Sequence, residues 1–315
     1  MFVSITPNPA MDYIMIINKL EKGKHVSSIN DYYSPGGKGI HTARLVAKFG
    51  IPTMSVNAVG EGRIGRKLIL LLNDEGIYTN TIFLREHTRT DVVIVDLSDR
   101  TETTITSLGP HMEEEDLKEF MHVVEKSILN AEVVFMGGSV PRGAPSTLYY
   151  DVISLAKSIG VKHCIVTARG ELLEKAAEAK PYVIKPDTST IKEYFGYSIK
   201  DLDGSIKIAE KLIELGAENA IVSYKDKNDV LVSKTGKKVL YKLKYEEDIN
   251  LFGASEALLA GVSIGIMKGH GLEEATRFGM GLALKVATLE TVSIFDFSPE
   301  SVDEMLLKVE VEELT

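Results

Sequence analysis

Strand-length apolar runs alternate with helix-length amphipathic runs along nearly the whole of this chain, and that rhythm leaves few folds open to it. FVSIT is followed by GIHTARLVAKFG, in which Ala43, Val46 and Ala47 share one helical face and Gly50 supplies a stop. TMSVNAVG then precedes IGRKLILLLNDEG, and EVVFMGG precedes TLYYDVISLAKSIG. KHCIVTA, PYVIKP, IKIAEKLIELG and NAIVSY carry the pattern on to a last helical block from about Ala254. Apolar strands each followed by a helix predict a mostly parallel sheet covered by helices on both faces. Four segments, near residues 13–18, 26–33, 90–97 and 101–107, instead alternate polar with apolar. The last two form DVVIVDLSDRTETTITS, which reads as a hairpin around Ser98-Asp99-Arg100. No repeat or Pro/Ser-rich linker divides the chain. The expectation is one α/β domain over residues 1–315 with a small antiparallel β lid, which could close over a site or pair with another copy of itself.

Composition narrows the function classes. The 315 residues are 44% hydrophobic and 26% charged, enough apolar matter for a sizeable core. No apolar run approaches the roughly 20 residues of a membrane span. The N-terminus lacks a basic n-region and carries prolines and an Asp, so a cytoplasmic protein without membrane partners is expected. Cys164 is the single cysteine and the seven histidines are scattered, which argues against any protein-built metal site. A net charge of −9 opposes nucleic-acid binding, whereas a phosphorylated small molecule needs only a few converging Lys and Arg.

Gly60-Glu61-Gly62-Arg63-Ile64-Gly65 is formally a GxGxxG. A dinucleotide fingerprint belongs on the first strand–helix turn, with an acid ending the next strand. Here a β–α unit precedes it, and the acid after Thr81-Ile82-Phe83-Leu84-Arg85 comes too late and beside a base. A tight turn with close helix packing is the better reading. Ser34-Pro35-Gly36-Gly37-Lys38-Gly39 precedes a helix, where backbone amides can point at an anion or at hydroxyls. It is not a Walker A loop, because the glycine spacing differs and no Ser or Thr follows the Lys. Alone it fits a structural turn equally well.

It does not stand alone. Thr6-Pro7-Asn8-Pro9-Ala10-Met11-Asp12, Gly36-Gly37-Lys38-Gly39-Ile40, Gly138-Ser139-Val140-Pro141-Arg142-Gly143 and Val183-Ile184-Lys185-Pro186-Asp187 occur in that order. This set resembles the PfkB (ribokinase-like) carbohydrate kinases, specifically the branch of 1-phosphofructokinases and tagatose-6-phosphate kinases. The resemblance runs from the first strand to the last helices. It implies a ribokinase-like fold and ATP-dependent phosphate transfer to a hexose monophosphate, fructose 1-phosphate first and tagatose 6-phosphate next. It also implies Mg²⁺ bridging the ATP phosphates, and a homodimer joined through the lid.

The resemblance further implies roles for single residues. Asp12 would accept hydrogen bonds from sugar hydroxyls, with a plain turn role as the alternative. Gly36, Gly37 and Lys38 would lie against the sugar, and His41 stands where the family usually has Asn. Lys24, Arg89 and Arg142 match positions that hold the substrate's phosphate, where an Arg fork offers two coplanar donors. Arg142 reads equally as a solvated loop charge, and Val26 stands where some relatives have a second base. Ser139 would complete these contacts. Lys185, Asp187 and Ser223 would lie by the ATP phosphates. Gly253-Ala254-Ser255-Glu256 replaces GAGD: its amides would stabilise the migrating phosphoryl group, and Glu256 would take the hydroxyl proton. Ser255 adds a Cβ that is costly if φ there is positive, and Glu256 adds a methylene. Thr167 replaces an acid, and Asp187-Thr188-Ser189-Thr190 replaces the Asn-x-x-Glu that organises Mg-bound water. Tyr224-Lys225-Asp226-Lys227-Asn228 replaces a glycine-bearing turn. These departures motivate an alternative, a sugar-phosphate-binding protein with vestigial activity that acts as sensor or partner.

Overall fold

The structure, a computed structural model, describes residues 1–99, 101–188, 191–225, 227–245, 253–289 and 295–314. In chain order its elements begin β1 (Phe2–Thr6), β2 (Ala10–Ile17), β3 (Asn30–Gly36), α1 (Lys38–Lys48), β4 (Thr53–Gly60), α2 (Arg63–Asp74) and β5 (Tyr78–Leu84). Next come β6 (Arg89–Asp96), β7 (Thr101–Ile105), α3 (Glu114–Ile128), β8 (Val133–Gly137), α4 (Leu148–Ile159), β9 (His163–Ala168), α5 (Glu171–Glu178) and β10 (Val183–Pro186). A short pair, β11 (Glu193–Tyr194) and β12 (Tyr197–Ser198), leads to α6 (Leu202–Leu215), β13 (Asn219–Tyr224), β14 (Asn228–Ser233) and β15 (Lys238–Leu243). The last are α7 (Ala254–Met267), α8 (Leu272–Ala287), α9 (Val302–Leu306) and β16 (Val309–Leu314).

Ten strands form one sheet in the order β16-β15-β14-β13-β10-β9-β8-β1-β4-β5. From β13 to β5 every neighbouring pair is parallel, and β14, β15 and β16 add an antiparallel edge. The pleat sends alternate residues to opposite layers. Val3 and Ile5 join Phe120, Tyr149 and Ile208 on one side, while Phe2 and Phe135 join Ile40, Leu68, Leu259 and Met280 on the other. Small residues set the spacing between α7 and α8: a Cβ on Gly261 would come 2.4 Å from the Cα of Gly279.

The lid is a separate four-stranded sheet in the order β3-β2-β6-β7. Its β2/β3 and β6/β7 pairs are antiparallel, but β2 and β6 run parallel, from Ala10↔Arg89 to Ile17↔Asp96. The wholly antiparallel pairing expected from the sequence is thus corrected at the centre. The reason is connectivity, since β2 continues from β1 and β6 from β5, two strands that leave the main sheet in the same direction. The β6–β7 turn is held by Asp96, whose Oδ1 accepts from the Ser98 backbone N at 2.8 Å; Arg100 lies outside the described residues. Around Gly60 and Gly65 the structure has the tight turn, not a nucleotide cradle. A Cβ on Gly65 would meet the Gly60 carbonyl at 2.4 Å, and one on Gly60 would meet the backbone of Glu86 at 2.1 Å. Among the described residues no helix is long and apolar enough to cross a membrane.

Candidate active site

From β1 the chain builds outward through β4 and β5 on one side, and from β8 through β9, β10 and β13 on the other. Such a switch point opens a crevice at the carboxyl ends of the strands. A cleft of about 1630 Å³ lies there, lined by strand ends of the main sheet, by the lid and by the start of α7.

One end is built to meet hydroxyls and an anion. Asp12 is buried, and Gly36 is pressed beneath it: a Cβ there would lie 2.2 Å from the Asp12 carboxyl. Gly37, with φ 108°, turns the chain into α1 and so aims Lys38 and His41 inward. The His41 Nε2 lies 3.4 Å from Asp12 Oδ2 but makes no well-aligned hydrogen bond. Both groups line the cleft with hydrogen-bonding capacity to spare. Asn8 donates to Ser139 Oγ at 3.1 Å, leaving its own Oδ1 buried without a partner. Arg89 donates to Asp91 Oδ2 at 2.7 Å and to the Asn8 carbonyl at 3.3 Å, and the Ser107 amide fixes the other Asp91 oxygen. Burial pushes the Asp91 carboxyl above its ordinary value, although Arg89 and the Ser107 amide pull it down.

At the middle, Gly253 adopts the left-handed conformation, φ 73°, and caps α7. Ala254, Ser255 and Glu256, the first residues of that helix, line the cleft, so the positive end of the helix lies there. Ser255 does not share the positive φ feared from the sequence: it lies in helical backbone, so its Cβ costs nothing there. Glu256 Oε1 accepts from Lys38 Nζ at 2.5 Å, and the same ammonium stands 3.7 Å from Asp187 Oδ2. Burial pushes the Glu256 carboxyl up, but the Lys38 charge and hydrogen bond outweigh it and hold the group below its usual value. For Lys38 burial acts downward, and Glu256 and Asp187 together hold it above its usual value.

The far end combines cations with an apolar wall. Lys185 donates to Ser223 Oγ at 2.6 Å, and that hydroxyl donates to Asp229 Oδ1 at 2.6 Å. Burial holds the Asp229 carboxyl above its ordinary value in spite of Lys185. Lys225 and Lys227 also line this end, with Leu243, Leu258, Met280, Ala283 and Ala287 as the wall. Lys225 stands at φ 48°, left-handed backbone that glycine adopts more readily. Arg169 Nε approaches Asp187 Oδ2 at 4.0 Å. The Thr167 hydroxyl is buried without a hydrogen-bond partner and does not line the cleft. Ser189, Thr190 and Asp226 lie outside the described residues.

Most residues given a binding or catalytic role from the sequence thus converge, and three of them do not line the cleft. Gly36 supports Asp12 from behind. Lys24 is exposed on the β2–β3 connection. Arg142 is exposed, with its Nη2 2.6 Å from Glu86 Oε2 and 3.3 Å from the Gly109 carbonyl. Asn8, Asp91 and Asp229 were missed. Asp91 was legible as the residue two beyond Arg89, on the same face of a strand. Asp229 depended on the hairpin register that sets it opposite Ser223.

The model of the pfkB family carbohydrate kinases matches residues 8–294. The chain belongs to the pfkB family. Two full-length relatives carry the name 1-phosphofructokinase. That of Bacillus subtilis is 30% identical over 315 residues, covering 100% of both chains. That of Borreliella burgdorferi is 25% identical over 318 residues, covering 100% of this chain and 99% of its own. Among solved structures, a possible 1-phosphofructokinase from Thermotoga maritima superposes with a TM-score of 0.91 at 29% identity over 100% of both chains. Phosphofructokinase-2 of Escherichia coli in complex with fructose-6-phosphate has a TM-score of 0.82 at 21% identity over 98% of each chain, a likeness of fold. In this pfkB protein the lid and the start of α7 close around one cleft.

Proposed function

We propose that this protein is an ATP-dependent phosphotransferase acting on a hexose monophosphate, with fructose 1-phosphate the preferred acceptor and tagatose 6-phosphate the next. The observation that carries the reading is the position of Glu256. It stands in the first turn of a helix whose start lines the cleft, beside Lys38, with hydroxyl-binding groups on one side and Lys185 on the other. The names of the full-length relatives support the choice of acceptor.

Asp12 and His41 orient the acceptor hydroxyls, and Arg89, braced by Asp91, meets the phosphate already present. Glu256 takes the proton of the attacking hydroxyl, while Lys38 and the α7 amides receive the migrating charge. Lys185 and Ser223 hold the donor phosphates, and the wall of Leu243, Leu258, Met280 and Ala283 takes its apolar part. Mg²⁺ would supply neutralisation of the donor phosphates. Among the described residues no three His, Cys, Asp or Glu side chains are arranged to hold a metal. The ion would be carried chiefly by the phosphates and water, and Asp187, which lines the cleft 3.7 Å from Lys38, would be a carboxylate able to help hold it.

One observation favours a second reading, a sugar-phosphate-binding protein with vestigial transfer. Glu256 is held as an ion pair below its usual range, which makes it a weak base until Lys38 moves. A coupled ADP-release assay over fructose 1-phosphate, tagatose 6-phosphate, fructose 6-phosphate and free fructose tests both. The kinase reading expects the highest kcat/KM with fructose 1-phosphate. Sugar-phosphate binding without ADP release from any of the four would replace it with the second.

A further inference from the structure

The far end of the cleft holds a carboxylate that phosphate transfer, as derived above, does not use. Asp229 pairs in register with Ser223 across the β13–β14 hairpin. Its Oδ1 lies 2.6 Å from the Ser223 hydroxyl and 3.7 Å from Lys185 Nζ, and Lys185 in turn lies 2.6 Å from that hydroxyl. Lys185 is 1% exposed and Asp229 7%. An ammonium so deeply placed needs a counter-charge, and Asp229, 3.7 Å away, supplies it. The hydroxyl between them is used twice, accepting from Lys185 and donating to Asp229, and so links the two side chains.

We propose that Asp229 is a positioning residue that sets donor affinity: it holds Lys185 in place before the donor binds, and its charge opposes the phosphates that Lys185 receives. The proposal rests on the reading of Lys185 and Ser223 as donor-phosphate contacts. When a polyphosphate arrives it brings its own negative charge to Lys185, and Asp229 becomes a surplus like charge a few ångströms behind. Charges inside a protein act on each other several times more strongly than in water. The protein therefore gives up donor affinity for the stability of its unliganded state. Asn in place of Asp keeps the shape and the acceptor oxygen for Ser223 and removes only the charge.

The test is calorimetry with the β,γ-imido analogue of ATP, together with thermal melting of the unliganded protein, for the wild type, Asp229→Asn and, should that not fold, Asp229→Ser. Calorimetry with fructose 1-phosphate is the control. The expected result has opposite signs: the variant binds the nucleotide about tenfold tighter, melts lower when empty, and binds the sugar phosphate as before. A merely structural Asp229 would lower both melting temperature and nucleotide affinity, which overturns the proposal. Equal tightening of both ligands reduces the effect to net charge and overturns it too. Failure of the wild type to bind the nucleotide would remove the donor reading itself, an outcome separate from wild-type binding that the variant leaves unchanged.

Discussion

Glu256→Gln removes one negative charge and one proton acceptor from the centre of the cleft while keeping the side-chain length. Glu256 Oε1 accepts from Lys38 Nζ at 2.5 Å, and Gln can turn its amide oxygen to the same ammonium. The turnover loss is therefore that of the base alone, about 10²–10⁴-fold, or about 2.7–5.4 kcal/mol of transition-state stabilisation. Breaking a buried ion pair costs about 3–5 kcal/mol when nothing replaces the lost partner. Here Asp187 remains 3.7 Å from Lys38, so a stability loss of about 1–2 kcal/mol is expected, a few degrees in Tm for a chain of this size. The stability gap also has a sign in pH. Because the folded protein holds the Glu256 carboxyl below its ordinary value, the contribution is full above that ordinary value. It is lost as pH falls through the depressed one, so wild type and variant converge in strong acid. ADP release at saturating substrates measures kcat, calorimetry with fructose 1-phosphate measures acceptor affinity, and melting at several pH values measures stability. A kcat within threefold of the wild type would show that Glu256 is not the base and would refute the reasoning.

Three further outcomes follow from the geometry. Arg89→Ala should weaken fructose 1-phosphate by roughly 1.5–3 kcal/mol and free fructose far less; equal losses by calorimetry would remove Arg89 as a phosphate contact. Lys225→Gly should raise stability by about 0.5–1 kcal/mol, because it relieves a left-handed backbone at φ 48°, and a lower melting temperature would contradict this. The lid should join two copies, since Tyr33, Leu97 and Ile105 on its strands and turn stand exposed and, among the described residues, no further strand pairs with the outer edges of β3 and β7; sedimentation of a monomer at micromolar concentration would refute that.

The fold class was legible because it rests on local chemistry. Apolar strands such as FVSIT and EVVFMGG can be buried on both faces only in a sheet with helices on each side. The glycines of Gly36-Gly37 and Gly60-Glu61-Gly62 announce turns by conformation alone. Asp12, Lys38, Arg89, Lys185 and Glu256 could be named from motifs, since a motif marks a residue type at a spacing. What each side chain faces is set by distant chain. Lys38 and Glu256 stand 218 residues apart, and their contact exists because α1 and α7 pack together over the same face of the sheet. Direction of the central lid pair followed from the strands that β2 and β6 continue, which alternation within a segment does not encode. The backbone at Ser255 was decided by the helix it entered, and the place of Arg142 by Glu86 across a loop. Spacing and periodicity specify elements, whereas charge pairing depends on where the folded sheet brings those elements together. Asp91, two residues beyond Arg89 on one strand face, was within reach of the sequence, whereas the counter-charges Asp229 for Lys185 and Glu256 for Lys38 were decided by the tertiary structure.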